Sequence, residues 1–339
     1  MRDLALGLSR RGHRTSVYAP VLGAMAQELG KQGIVVVDDL RQLKDAPDII
    51  HGHHNLPMIE ALARFSCPGI WLCHDWTSWW DQPPRLARIH RYGAVDRTRL
   101  NYLTRTVGIR AEQVVMLPNA VDLARIPLRP QPLAKQPEHA LAYTKTRSQL
   151  PILREACRRT GLRFAALGRG VDAETAEPER ELVRHDIVFA TGRSALEALC
   201  AGCAVIVGDG RGLVGMVTTA NYETLREYNF GVQAFVRKMS VDAVVSEIER
   251  YNPQDALAVA TRGQTEAALE GLLDALEQLY AEAIQSCATM GHDEDDRALQ
   301  RFRRQWYPQV RLSIFRHGQR IRSGLRFAGL SRIGQERHK

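Results

Sequence analysis

The sequence predicts an α/β protein: two doubly wound parallel sheets, each in its own domain, followed by a basic helical extension. Three observations predict it. Short apolar, β-branched runs alternate with helix-forming stretches through most of the chain, the pattern of a parallel sheet with crossover helices. The alternation stops once, over residues 125–139 (RIPLRPQPLAKQPEH), where four prolines and no periodicity read as a linker. A length of 339 residues suits two domains at roughly 150 residues each. These set the expected boundaries: a first domain over 1–127, a linker over 128–139, a second domain over 140–290 and a tail over 291–339.

Residues 4–14 have helical spacing and end near Gly12, and residues 15–20 read as a strand. A helix is expected over 23–33, a strand over 34–37, a turn or short helix over 40–43, a strand over 47–53, a helix over 56–65 and a strand over 69–75. Residues 77–92 are loop-rich, with Pro83 and Pro84, and residues 94–96 read as the next strand. A helix over 97–107 and a strand from Val114 close this half. After the linker come a strand over 140–145, a helix over 148–160, a strand over 163–167 and a helix over 177–184. A single long helix is expected over 261–286, from the spacing of Leu269, Leu272, Leu273, Leu276 and Leu279.

The stretch with the most chemistry in it is 186–208, DIVFATGRSALEALCAGCAVIVG. It reads as a buried strand, a tight turn at 191–194, a helix closed by Gly202, and a second buried strand, together a βαβ unit. Ser194 suits an N-cap with Glu197 completing a capping box. A helix N-terminus at the carboxyl end of a strand can hold a phosphate, and it also occurs in ordinary α/β repeats.

Charge is unevenly spread. The total is +8, but residues 297–339 hold 12 Lys/Arg against the single acid Glu336, which leaves the rest of the chain near −3. A basic face on the folded domains is therefore not indicated, and neither is a nucleic-acid partner. The tail interleaves arginines with Phe302, Trp306, Tyr307, Phe315 and Phe327, a composition that fits either contact with an anionic membrane surface or a terminal extension. No stretch of 18 or more apolar residues is present, and the first residues (MRDLALGLSRRGHR) lack the long apolar run of a secretory leader. The six cysteines sit mostly in apolar or helical runs, as reduced structural thiols do. Cys200 and Cys203 form a CxxC without the second pair that a zinc site needs. His51, His53 and His54 have no further ligand at metal spacing, so no metal is expected.

Three segments together resemble the GT-B glycosyltransferases of the family 4 type. Residues 4–20 (LALGLSRRGHRTSVYAP) are similar to that family's first helix and second strand. Residues 114–122 (VVMLPNAVD) are similar to the turn that closes its N-terminal domain, and residues 186–208 to its donor loop. The strand ends PDIIHGHH and LCHD also fit. The resemblance spans residues 4–250. It implies two Rossmann-like domains facing a cleft, with the nucleotide-sugar donor in the second and the acceptor in the first. It implies transfer of a sugar with retention of configuration, in the EC 2.4 class, to a polysaccharide, glycolipid or similar acceptor. No metal or other cofactor is implied, and a cytoplasmic place is expected, at the inner membrane face if the tail attaches there. The family has a strand and a Gly-rich loop before its first helix, and this sequence starts at that helix, so the first sheet is expected to lack a central member. The family also pairs two glutamates eight positions apart: Glu197 matches the second, which contacts the donor ribose, and Phe189 stands at the first.

From these follow the candidate site residues. His74, ending a strand, and Glu197 are the catalytic candidates, Glu197 also as the ribose ligand. Lys145 and Arg147, in the loop after the first strand of the second domain, are candidates for the donor diphosphate, together with Gly192, Arg193 and Ser194. Asp75, Asn119, Gly212 and Gly215 are cleft-lining candidates, the last two from a Gly-rich loop GDGRGLVG. The expected partners are a nucleotide-sugar donor and a carbohydrate or lipid-linked acceptor. The alternative reading is a catalytically silent nucleotide-binding or scaffold protein of the same fold. An epimerase of the same two-domain fold is the third option.

Overall fold

The computed structural model describes residues 1–168, 171, 175, 177–231, 237–287 and 299. By its contacts the chain divides into two units, one of residues 1–71, 77–91 and 279–339, the other of residues 72–76 and 92–278. The tail expected at 291–339 lies outside the described residues except for Leu299.

In the first unit, helix α1 (Arg2–Arg10) precedes β1 (Ser16–Tyr18), α2 (Ala24–Lys31) and β2 (Val35–Val37). Strands β1 and β2 pair in parallel, Ser16 opposite Val35 and Tyr18 opposite Val37, over a small core of Ala5, Leu29 and Ile34. Strand β3 (Ile50–Gly52), helix α3 (Asn55–Arg64) and strand β4 (Gly69–Cys73) follow, with Ile50 opposite Gly69. The buried Arg88 guanidinium donates to the carbonyls of Leu62 and Phe65 and so terminates α3. Next come β5 (Ile89–Ala94), α4 (Arg97–Asn101) with one π-helical turn after it, and β6 (Val114–Met116). Strand β5 starts well before the strand expected at 94–96. Its polar residues His90 and Arg91 masked a run whose Ile89, Tyr92 and Ala94 are fully buried. Strands β1 and β2 form a two-stranded sheet, apart from the sheet ordered β3-β4-β5-β6. A sheet short of one central strand was expected.

The second unit continues with β7 (His139–Tyr143), α5 (Leu150–Arg159), β8 (Arg163–Leu167), α6 (Pro178–Leu182), β9 (Ile187–Ala190), α7 (Gly192–Cys200) and β10 (Ala204–Asp209). It ends with β11 (Gly212–Met216), α8 (Tyr222–Glu227), α9 (Val241–Ile248), α10 (Pro253–Glu266) and α11 (Leu269–Cys287). The five-stranded sheet runs β11-β10-β9-β7-β8, parallel except for β11. Its side chains alternate with the period of two that a strand dictates. Val188 and Ala190 face the core shared with α7, and Ile187 and Phe189 face the core shared with α5 and α9. Among the described residues no helix is long and apolar enough to cross a membrane.

Two expectations are corrected here. The long helix over 261–286 is two helices, α10 and α11. Ala268 leaves the helix to form a parallel bridge with Val121, whose N–H donates to the Ala267 carbonyl and whose carbonyl accepts from Leu269 N–H. No Gly or Pro marks that break, so nothing local announces it. The Gly-rich loop GDGRGLVG is a β-hairpin: β10 and β11 pair antiparallel, Asp209 opposite Gly212, around Gly210 and Arg211.

The clustered histidines divide their roles. His51 and His53 stack with ring centroids 4.7 Å apart, and His51 Nδ1 lies 2.6 Å from the Tyr280 hydroxyl. His54 turns instead to Asp81, 3.1 Å away. Among the described residues no group of three His, Cys, Asp or Glu is placed to hold a metal ion. His51 Nε2 is enclosed without a hydrogen-bond partner, and burial, followed by the positive chain terminus, lowers the ring's pKa to about 4. The unfolded chain binds this proton near pH 6.5 and the folded chain resists it, so stability is lost as pH falls from about 6.5 toward 4. The whole shift corresponds to at most about 3 kcal/mol. Urea denaturation between pH 7 and 4 should show this loss, and His51→Phe should flatten it. An unchanged slope in the variant would contradict the assignment.

Candidate functional site

In the second unit β8 and β9 leave β7 on opposite sides, so the winding reverses between β7 and β9. Ligands of open parallel sheets bind at such a point, outside the carboxyl ends of the strands. The two strands end level, Tyr143 opposite Ala190, so the loops that follow start side by side.

The loop after β7 carries Lys145 and Arg147, both exposed. Its threonine side chains are held by Gln149, which is only 2% exposed. Gln149 Nε2 donates to Thr144 Oγ1 at 2.6 Å, and Thr146 Oγ1 donates to Gln149 Oε1 at 2.8 Å. Neighbouring loops abut it. A Cβ on Gly168, which follows β8 at φ +129°, would overlap the Thr144 carbonyl, and one on Gly210 would overlap Ser148 Oγ. The cations thus stand on a braced rim.

After β9, a single residue, Thr191, leads into α7. Thr191 is the N-cap and makes no side-chain capping bond, and Gly192 begins the helix at φ +61° with its N–H donating to the Phe230 carbonyl. The expected capping box is therefore absent. Ser194 lies inside the first turn, while the Glu197 carboxylate is held by other partners. The Glu197 carboxylate, 5% exposed, receives Arg125 Nη2 at 2.7 Å and Arg193 Nε at 3.2 Å on Oε1, and the Tyr143 hydroxyl at 3.2 Å on Oε2. Arg125 reaches Glu179 with its other arm, 3.0 Å away. Burial and the neighbouring Glu197 carboxylate raise the pKa of Tyr143, which keeps the phenol a proton donor. Phe189, which stands where the resemblance has a sugar-contacting glutamate, is 2% exposed inside β9 and faces the core away from α7. With one residue between strand and helix, no loop exists there to present a side chain.

The remaining candidates separate. His74 and Asp75 follow β4. Arg99 donates to the His74 carbonyl at 3.2 Å, lies 3.9 Å from Asp75, and bonds Asp96, the N-cap of α4. Burial raises the Asp96 pKa against the pull of Arg99. Asp75 also feels Arg211 at the hairpin tip, whose guanidinium is held chiefly by Asp209. The Asn119 carbonyl accepts from Arg226 at 2.7 Å. Gly212 and Gly215 lie within β11, and Gly215 leaves room for the buried Glu247 carboxylate rather than for a ligand. The structure therefore brings Lys145, Arg147, Gly192, Arg193, Ser194 and Glu197 to the ends of β7 and β9, and sets Gly215 apart from them. The CxxC thiols are buried, and burial pushes both up to about 12, so neither is a nucleophile.

Residues 1–125 match the family model for Glycosyltransferase Family 4. The structure is similar to a glycosyltransferase from Rickettsia africae ESF-5, with 12% identity, 83% of this chain and 93% of that chain covered, and a TM-score of 0.59. It is also similar to AviGT4, a glycosyltransferase involved in avilamycin A biosynthesis, with 15% identity, 84% and 88% covered, and a TM-score of 0.53. The fold is that of GT-B glycosyltransferases. No curated protein sequence matches the chain.

Within that fold, sequence reasoning missed Arg125 and Tyr143, the two residues that hold Glu197 from outside its own helix. Arg125 was hidden at the start of a stretch read as linker, three residues after Asp122. Tyr143 was hidden as a strand terminus.

The braced rim yields a direct test. Gly168→Ala places a Cβ against the Thr144 carbonyl in a backbone region that L residues avoid, a strain of about 1–3 kcal/mol. Thermal unfolding should register a lowered Tm. An unchanged Tm would mean that the loop after β7 is not packed as described.

Proposed function

We propose that the chain is a glycosyltransferase that moves a sugar from a nucleoside diphosphate sugar to a carbohydrate or lipid-linked acceptor, with retention of configuration. The observation that carries the reading is the meeting of three elements at the β7/β9 switch point. These are the α7 N-terminus, the loop bearing Lys145 and Arg147, and the buried Glu197 carboxylate.

In the reaction the bond from the anomeric carbon to the diphosphate oxygen breaks and a bond to an acceptor oxygen forms. The acceptor proton passes to the departing diphosphate. Charge accumulates on that diphosphate in the transition state, and donors fixed in advance around it lower the barrier. Backbone N–H groups of Arg193 and Ser194, at the positive end of the α7 dipole, are the proposed donors, with Lys145 and Arg147 as cations. Glu197 is proposed to accept from the ribose hydroxyls. His74 is proposed to donate to a hydroxyl of the transferred sugar.

A second reading is a silent nucleotide-binding protein of the same fold. Phe189 supports it, because at the position where the resemblance has a sugar-contacting glutamate the chain has a phenylalanine buried in β9. Titration calorimetry with UDP, GDP and ADP on the full chain separates binding from its absence. At least one nucleotide should bind with a submillimolar Kd, and Arg147→Ala should weaken it about tenfold, roughly 1.4 kcal/mol. No binding of any of the three at millimolar concentration would overturn the reading. Release of nucleoside diphosphate from a donor sugar, with acceptor or water, then distinguishes the enzyme from the silent protein.

The basic, aromatic residues 297–339 extend the proposal to peripheral attachment at an anionic cytoplasmic membrane face, where lipid-linked acceptors lie. The full-length protein should sediment with phosphatidylglycerol vesicles at low salt and be released at high salt. Equal sedimentation with neutral vesicles, or none with anionic ones, would refute it.

A further inference from the structure

The Glu197 carboxylate has about four acceptor positions, two on each oxygen. Oε1 is filled by Arg125 Nη2 and Arg193 Nε, at 2.7 and 3.2 Å. Oε2 receives only the Tyr143 hydroxyl, at 3.2 Å, and keeps one position open. A free carboxylate turns easily about its last torsion, and three donors from three directions fix this one.

The three donors are not equally anchored. Arg193 sits one turn before Glu197 on α7, with a side chain 39% exposed. Arg125 comes from outside the helix, with a side chain 17% exposed. Its base is built into a turn. Asp122 Oδ1 accepts from Ala124 N–H, the Asp122 carbonyl accepts from Arg125 and Ile126 N–H, and Val121 and Ile126 are fully buried. Its far end is held by Glu179 at 3.0 Å. The fork geometry of a guanidinium suits bridging two carboxylates, which a lysine ammonium on a flexible stem does not reproduce.

We propose that Arg125, clamped by Glu179, is a positioning residue that occupies Glu197 Oε1 and thereby presents Oε2 as the single acceptor for the ribose hydroxyls of a bound nucleotide. The inference rests on the nucleotide-binding reading of this site. Arg125 touches no substrate and acts through Glu197. Affinity for the diphosphate, supplied by the rim and the α7 N-terminus, is independent of it. Discrimination between ribose and deoxyribose depends on it.

The test compares, by calorimetry on the full chain, the tightest binder among UDP, GDP and ADP with its 2′,3′-dideoxy counterpart. Wild type should prefer the ribonucleotide at least tenfold. Arg125→Met should reduce the preference below twofold while changing the affinity for the dideoxy compound less than threefold. Glu179→Gln, which leaves both Arg125 and Glu197 in place, should give an intermediate preference, and it serves alone if Arg125→Met does not fold. A purely structural role for Arg125 would weaken both nucleotides equally and leave the ratio intact. That result, or a full tenfold preference in Glu179→Gln, overturns the inference. If wild type binds no nucleotide, the functional reading itself falls. If it binds both sugars equally, nucleotide binding stands and the role of Glu197, with that of Arg125, is refuted.

Discussion

The buried ion pair between Arg125 and Glu197 is the constraint on which the second unit is organised. Two charges removed from water are costly unless each is fully partnered, and a partner lost from such a pair leaves an uncompensated charge inside the protein. Here each charge has a second partner: Arg125 has Glu179, and Glu197 has Arg193. Two cations and two anions balance, with the Tyr143 phenol closing the set. The arrangement fixes the position of residues 119–126 against α7. Other contacts support the same segment, including Arg226 on the Asn119 carbonyl and the bridge between Val121 and Ala268.

Helix α7 follows β9 through one residue. A helix start this close to its strand depends on Gly192 at positive φ, and it leaves Thr191 as a cap without a side-chain bond. The N–H groups of the first turn then have few internal partners at the point where the sheet winding reverses. Beside them the loop after β7 is braced by Gln149 below and by the glycines of two neighbouring loops. Rigid loops around a helix N-terminus are what prearranged anion recognition requires. The histidines of the first unit serve packing instead, with His51 and His53 stacked beside Tyr280.

Much of the fold was legible from local patterns. Strand–helix alternation identified the elements from β7 to β10, because the inner strands read as continuous apolar runs, whereas β11, α8 and α9 were not read and α10 and α11 were read as one helix. The strands, the helix and Gly202 at its left-handed end in 186–208 were read, but the turn expected over 191–194 is the single residue Thr191. What escaped depends on partners distant in sequence. The break at Ala268 is made by Val121 and the tightness at Gly215 by Glu247. The capping box at Ser194 and Glu197 failed because the helix begins two residues earlier, at Gly192 with Thr191 as N-cap, which leaves Ser194 inside the first turn. Phe189 matched a family position by counting, but the strand continues through it. The place of Lys145 and Arg147 after a strand was legible because strand ends can be read from sequence, whereas the start of α7 at Gly192 and the network around Glu197 were not.

The central claim is that Arg125 and Glu197 act as one buried pair. A double-mutant cycle on unfolding free energy tests it most directly, with Arg125→Met, Glu197→Gln and the combination. Either single change should destabilise the protein by about 3 kcal/mol, and the double change by clearly less than the sum, with a coupling of about 2 kcal/mol or more. Additive losses would show that the two side chains stabilise the fold independently and would contradict the account.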